Sequence, residues 1–132
     1  KLVADYWFNK SLVFARTNLK KEELLRFEEL FHSLENLLPQ PDLILYYHRT
    51  VEKVKTGIRE RGRSYEQDIP EKYLLKLERN YQSYLKKYHK TPILWMNGDT
   101  FHPGRNRGHF QQLLAALALN YKNGLNKLEM RP

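Results

Sequence analysis

Apolar residues recur three and four apart along most of this chain, and two short apolar runs break that rhythm. Over residues 6–17, Phe8, Leu12 and either Ala15 or Phe14 keep helical spacing, with Asn9 and Lys10 on the polar side. Leu24, Phe27, Phe31, Leu34 and Leu38 then form one stripe. Thr17 or Asn18 offers the cap of that second helix, Glu22 and Glu23 suit its first turn, and Pro39 and Pro41 end it. Leu43-Ile-Leu-Tyr-Tyr47 is a strand candidate of the kind buried on both faces of a parallel sheet. A helix from Val51 crosses Gly57, at a cost of ~1 kcal/mol, and frays at Gly62. Asp68 as cap and Pro70 in the first turn predict the next helix, whose stripe of Tyr73, Leu77, Tyr81, Tyr84 and Tyr88 runs to about His89. Thr91 to Met96 is the second strand, residues 97–107 form a loop rich in Gly, Asn and Pro, and Phe110, Leu113, Leu114, Leu117 and Tyr121 predict a last helix over 109–123. Alternating helices and buried strands imply an α/β fold, a parallel sheet flanked by helices. Two strands are too few for a stable sheet, so further strands are expected from residues outside this sequence or from another chain.

Composition narrows the chemistry. The 132 residues suit one domain. Hydrophobic residues make up 41% and mean hydropathy is −0.74, and no apolar run approaches the ~18 residues of a membrane span. Lys1-Leu-Val-Ala-Asp-Tyr does not read as a signal peptide. The absence of cysteine excludes disulfides and thiolate metal sites in these residues, and a cytoplasmic protein is the expectation. His32, His48, His89, His102 and His109 lack the close spacing of a metal site. The net charge of +8, from 23 basic and 15 acidic residues, implies attraction to a polyanion: nucleotide phosphates, nucleic acid or an acidic surface. The surplus gathers between residues 49 and 63, where Arg49, Lys53, Lys55, Arg59, Arg61 and Arg63 face only Glu52 and Glu60.

The densest part of that surplus is Arg59-Glu-Arg61-Gly62-Arg63-Ser64-Tyr65-Glu66-Gln67. Guanidinium groups are planar, permanently charged and able to meet phosphate oxygens two at a time, so several on one short loop suit a polyphosphate. Two other readings stand beside it. Cations near a helix C-terminus are favoured as solvated charges, and Glu66 is either an exposed loop acid or an acceptor for a hydroxyl.

This order of segments resembles the deoxynucleoside kinase family. The resemblance rests on Asp5-Tyr-Trp-Phe-Asn-Lys-Ser11-Leu-Val-Phe-Ala15, on the strand Pro41-Asp-Leu-Ile-Leu-Tyr-Tyr47, on the arginine run, and on Pro92-Ile-Leu-Trp-Met-Asn97-Gly-Asp99-Thr-Phe101, covering roughly residues 2–102. It implies an arginine-rich lid over about residues 57–68, in which Arg61 and Arg63 brace the transferring phosphoryl group and Glu66 accepts from the sugar 3′-hydroxyl. Lys10 would then lie near the position that reads the base, and Tyr65 would either stack on the nucleoside or pack on the loop. Arg59, Asn97, Asp99 and Phe101 would meet ATP, the last three in an adenine loop over about 97–104 that works largely through its backbone. The family's upstream lid arginine falls nearer Gly57, so one phosphate contact has no counterpart there. The family's acidic-Arg-Ser motif is replaced by Ala-Asp5-Tyr6, leaving Asp5 as either a Mg²⁺-shell residue or a helix N-cap.

The resemblance further implies ATP and Mg²⁺ as cofactors, a deoxynucleoside as substrate, and a homodimer through the helices at 6–38. The variant Asp-Tyr-x-Phe-x-Lys-Ser is nearer the bacterial purine-type members. No Gly-x-x-x-x-Gly-Lys-Ser/Thr occurs in the sequence, although a P-loop kinase needs that loop to cradle phosphates. The chain therefore reads as the C-terminal part of a P-loop kinase fold, truncated or processed, with its P-loop and general base ahead of residue 1 and no activity by itself. Two alternatives remain: another salvage kinase such as a thymidylate kinase, and a nucleic-acid-binding module using segments 49–63 and 105–131, the less favoured partner.

Overall fold

Strands flanked by Gly and Pro, and helices carried by spaced apolar residues, assemble into a parallel sheet in the computed structural model, which describes residues 1–129. The helices are α1 (Lys10–Asn18), α2 (Lys21–Glu35), α3 (Val51–Arg61), α4 (Glu71–Lys87) and α5 (Arg107–Leu117). The strands are β1 (Ile44–His48), β2 (Pro92–Asn97) and β3 (Gly124–Lys127), and a 3₁₀ turn covers Ser64–Glu66. The sheet order is β1-β2-β3, all parallel, with Ile44 opposite Ile93, His48 opposite Asn97, and Pro92 opposite Gly124.

On one sheet face Leu85 of α4 and Tyr88 just after the helix meet Ile93, and Trp7, Ile44, Tyr46, Tyr84 and Leu125 close around them. Trp7 sets its ring edge-on to Tyr88 at 5.2 Å, a favoured aromatic geometry. Leu94, Met96 and Phe101 are also buried. Helix α1 and its cap meet α4 through polar tips, Asn9 donating to the Tyr84 hydroxyl at 2.7 Å and Asn80 donating to Thr17 Oγ1 at 2.9 Å, and α1 meets α2 where Arg16 Nε donates to Glu28 at 3.2 Å. Among the described residues no helix is long and apolar enough to cross a membrane.

The structure corrects several boundaries. The sheet has three strands rather than two. Helix α1 begins at Lys10 with Asn9 in the cap position, not at residue 6, so Asp5 is not its N-cap. Lys20, not Thr17 or Asn18, starts α2, its N–H donating to the Glu23 carboxylate at 3.4 Å. Thr17 is instead buried with its hydroxyl on the Val13 carbonyl. The stripe stops at Glu35, leaving Leu38 exposed. Pro70, with no side-chain cap, precedes α4 where Asp68 was expected to cap it. Helix α5 runs 107–117 rather than 109–123, because Asn106 accepts from His109 N–H and starts it early. Strand β1 is not buried on both faces: Leu45 and Tyr47 are each 42% exposed, because no described element covers that side of it.

Tyr46 gives the fold a pH signature. Burial first, then the nearby Glu78 and Tyr81, push its pKa from 10.0 up to about 12. A phenol whose folded pKa is raised contributes stability that is intact below pH 10 and is lost as pH climbs toward 12. Tyr46→Phe is expected to flatten the fall of stability across that window, as followed by urea midpoints at successive alkaline pH values. An unchanged slope would show that Tyr46 ionisation does not drive it.

Candidate lid and nucleotide site

The carboxyl ends of parallel strands are where open α/β sheets receive ligands, and here those of β1 and β2 are locked together. Gly98 N–H donates to the His48 carbonyl at 2.6 Å, and the Tyr47 hydroxyl reaches the Phe101 carbonyl at 2.5 Å. The close approach requires glycine: a Cβ at position 98 would stand 2.7 Å from the His48 carbonyl, Tyr47 Cε1 and Arg49 Cγ alike. Asp99 accepts from Thr50 N–H at 3.3 Å, tying this loop to the start of α3. Thr50 in turn caps α3 by accepting from Lys53 N–H.

At the other end of α3, Gly62 adopts a left-handed conformation (φ 68°) that ends the helix and turns the chain. The Ser64–Glu66 turn follows, held by Gln67, whose side chain donates to the carbonyls of Ile58 at 2.9 Å and Arg63 at 3.0 Å. This turn brings Arg61, Arg63 and Glu66 together. Arg61 pairs closely with one Glu66 oxygen, and Arg63 Nη1 lies 3.4 Å from the other. The Glu66 side chain is 12% exposed, whereas both arginines are about half exposed at 50% and 54%. A largely sheltered carboxylate thus aims two solvent-facing guanidiniums from one turn. Beside it a cleft of about 210 Å³ is lined by Lys55, Ile58, Arg59, Glu66, Gln67, Ile69 and Leu74.

The remaining expected residues divide. Arg59 lies on the lid side, its Nη2 donating to Thr56 Oγ1 at 3.4 Å. Asn97, Asp99 and Phe101 lie at the opposite end of α3, roughly 16 Å away along an 11-residue helix. The Asn97 side chain accepts from Asp99 N–H, and Phe101 is fully buried with its ring stacked on His109. These side chains hold the loop's own shape, and the N–H groups of Gly98, Asp99, Thr100 and Phe101 are themselves hydrogen-bonded to the loop or to β1. Tyr65 is 75% exposed beside the arginines. Lys10 donates to the Asp5 carbonyl at 2.7 Å, and Asp5 itself is exposed. Among the described residues no group of three or more His, Asp or Glu side chains can hold a metal ion, so Asp5 offers a lone carboxylate. That does not fit a protein-built Mg²⁺ site.

Sequence reasoning passed over Tyr47, Thr50 and the pair His48 Nε2–Glu78 at 2.9 Å. It also passed over Arg49, whose Nε is buried without a hydrogen-bond partner. The available signal was positional, since all but Glu78 sit at or just after the carboxyl end of β1.

The chain is 27% identical over 118 residues to a deoxyguanosine kinase of Bacillus subtilis, an alignment covering 86% of this chain and 57% of that protein. The chain thus spans a little over half the length of the curated relative it matches. Residues 3–117 match the family model for deoxynucleoside kinase, taking in α1 through α5 with the arginine turn between α3 and α4. The chain belongs to the deoxynucleoside kinase family.

Proposed function

We propose that the protein to which these residues contribute transfers the γ-phosphoryl group of ATP to the 5′-hydroxyl of a deoxynucleoside, with a purine preferred, as a step of nucleotide salvage. The observation that carries this reading is the joint presentation of Arg61 and Arg63 by Glu66 on the Gly62 turn, in a chain of this family. In the transfer, the 5′-oxygen forms a bond to the γ-phosphorus while the bond to the β,γ-bridging oxygen breaks and ADP leaves. Positioning and charge neutralisation supply most of the catalysis in such a step. Arg61 and Arg63 take up charge on the equatorial oxygens in this reading. Glu66, once an anion draws the arginines forward, is freed on one oxygen to accept from a sugar hydroxyl.

The cradle for the remaining phosphates and the base that takes the 5′-hydroxyl proton come from residues beyond this sequence, which has no Gly-x-x-x-x-Gly-Lys-Ser/Thr. Mg²⁺, where used, would be held by phosphate oxygens and water with at most single carboxylates from these residues, and no step here is derived through it. The adenine would rest on the backbone of residues 97–101. The deoxyguanosine kinase relative supports the purine preference. Product analysis with ATP and each common deoxynucleoside tests the reading, with thymidylate and other monophosphates as competing acceptors. Phosphorylation of monophosphates alone would replace it by a nucleotide kinase.

Homodimerisation belongs to the same proposal. Leu25, Leu30 and Leu34 of α2 are exposed apolar residues, Leu25 at 54% and Leu30 at 57%, which supports a self-contact through α1 and α2. Sedimentation of the complete protein is expected to give twice the protomer mass. A monomer at micromolar concentration would remove this part.

A further inference from the structure

Arg49 belongs to the basic segment of residues 49–63. It follows β1 directly, and its Nε is buried with no hydrogen-bond partner. Buried donors are nearly always satisfied, because leaving one unpaired costs its full desolvation. None of the ion pairs among the described residues includes Arg49.

The course of its side chain is defined by two glycines. Its Cγ lies 2.7 Å from where a Cβ on Gly98 would stand, and its Nη1 lies 3.4 Å from the corresponding point on Gly57. The stem therefore crosses the loop after β2, and the guanidinium lies against the bare backbone of α3. Gly57 is four residues before Arg61, so the two occupy the same helix face one turn apart. Lys53, four residues before Gly57, extends that face. Arg49 thus places a permanent charge between the Asn97–Phe101 loop and the Arg61–Glu66 turn, the two halves of the candidate site that α3 holds apart.

We propose that Arg49 is a phosphate-contacting residue of this site, its guanidinium meeting an anionic oxygen over Gly57, on the α3 face that leads to Arg61. The identity of the ligand as a nucleotide rests on the kinase reading; the anion contact does not. Two sources of phosphate share this chemistry, the donor ATP and the phosphorylated product.

The test is calorimetric binding of inorganic tripolyphosphate, ATP and a deoxynucleoside 5′-monophosphate to the complete protein and to Arg49→Gln and Arg49→Lys. Arg49→Gln is expected to weaken tripolyphosphate binding by about tenfold or more, as loss of a charge-assisted contact would. Arg49→Lys keeps the stem over Gly98 and the charge but not the planar fork, and is expected to lose less. Weakening of ATP alone places Arg49 on the donor, weakening of the monophosphate alone places it on the product, and either supports the contact. Equal binding of all three ligands by the wild type and Arg49→Gln overturns it. If Arg49→Gln does not fold, Arg49→Lys decides: affinity equal to the wild type's for every ligand overturns the proposal.

The two readings separate cleanly. Nucleoside phosphorylation with phosphate binding untouched in Arg49→Gln sinks the Arg49 contact and leaves the kinase standing. No phosphorylation by the wild type, with tripolyphosphate binding still weakened in Arg49→Gln, does the reverse.

Discussion

Arg61→Ala in the complete protein is expected to lower kcat for nucleoside phosphorylation by about 10²–10³, the range seen when one preorganised transition-state donor is removed. The KM for ATP should change far less, since charge on the transferring group develops only as the reaction proceeds. Stability should move within about 0.5 kcal/mol, because the Arg61–Glu66 pair is solvent-facing on its arginine side. Arg61→Lys should recover only part of the loss, since an ammonium keeps the charge and gives up the two-pronged geometry. Steady-state kinetics beside a thermal melt separates the outcomes. A large fall in melting temperature with kcat intact would make Arg61 a strut for the turn and nothing more.

Gly98→Ala is expected to be strongly destabilising. Its φ is not in the left-handed region, so the cost arises from contact rather than from backbone conformation. The added carbon would meet the His48 carbonyl oxygen at 2.7 Å, and that oxygen cannot swing aside because it already accepts the Gly98 N–H. Relief requires parting the ends of β1 and β2, at a cost of about 3 kcal/mol or more. Gly104→Ala is the matched control: nothing lies within 4 Å of its would-be Cβ, and its effect should stay within about 0.5 kcal/mol. Urea titration of both variants decides the matter. Equal midpoints would mean that the strand ends yield easily and the loop after β2 is not rigidly held.

Much of this fold is legible in the residues themselves. The stripe through Leu24, Phe27 and Phe31, the tyrosine-rich stripe of α4 and the apolar runs of β1 and β2 all mark real elements. β3 escapes because Gly124-Leu-Asn-Lys127 carries no apolar alternation; it is a strand only because β2 is there to pair with, and Gly124, at φ 92°, fits under His89. The end of α5 is overread for the opposite reason. Leu119 and Tyr121 continue a helical spacing after the helix has stopped, Leu119 standing 63% exposed and the Tyr121 hydroxyl turning back to the Ala116 carbonyl at 2.7 Å.

The site shows the same division. The arginine turn is local, so Arg61, Gly62, Arg63 and Glu66 announce it within six residues. The course of the Arg49 side chain depends on Gly57 and Gly98, and the second of these lies 49 positions away in the chain, where no local pattern reports it. The Phe101 ring, buried against His109, depends on a residue eight positions further along the chain.

The most direct measurement is transfer of label from γ-labelled ATP to a deoxynucleoside, followed by identification of the labelled product. Run with the complete protein and a purine deoxynucleoside, it is expected to give the 5′-monophosphate, and the Arg61→Ala/Arg63→Ala double variant should form almost none. Absence of label in every common deoxynucleoside, with the protein folded, would contradict the account.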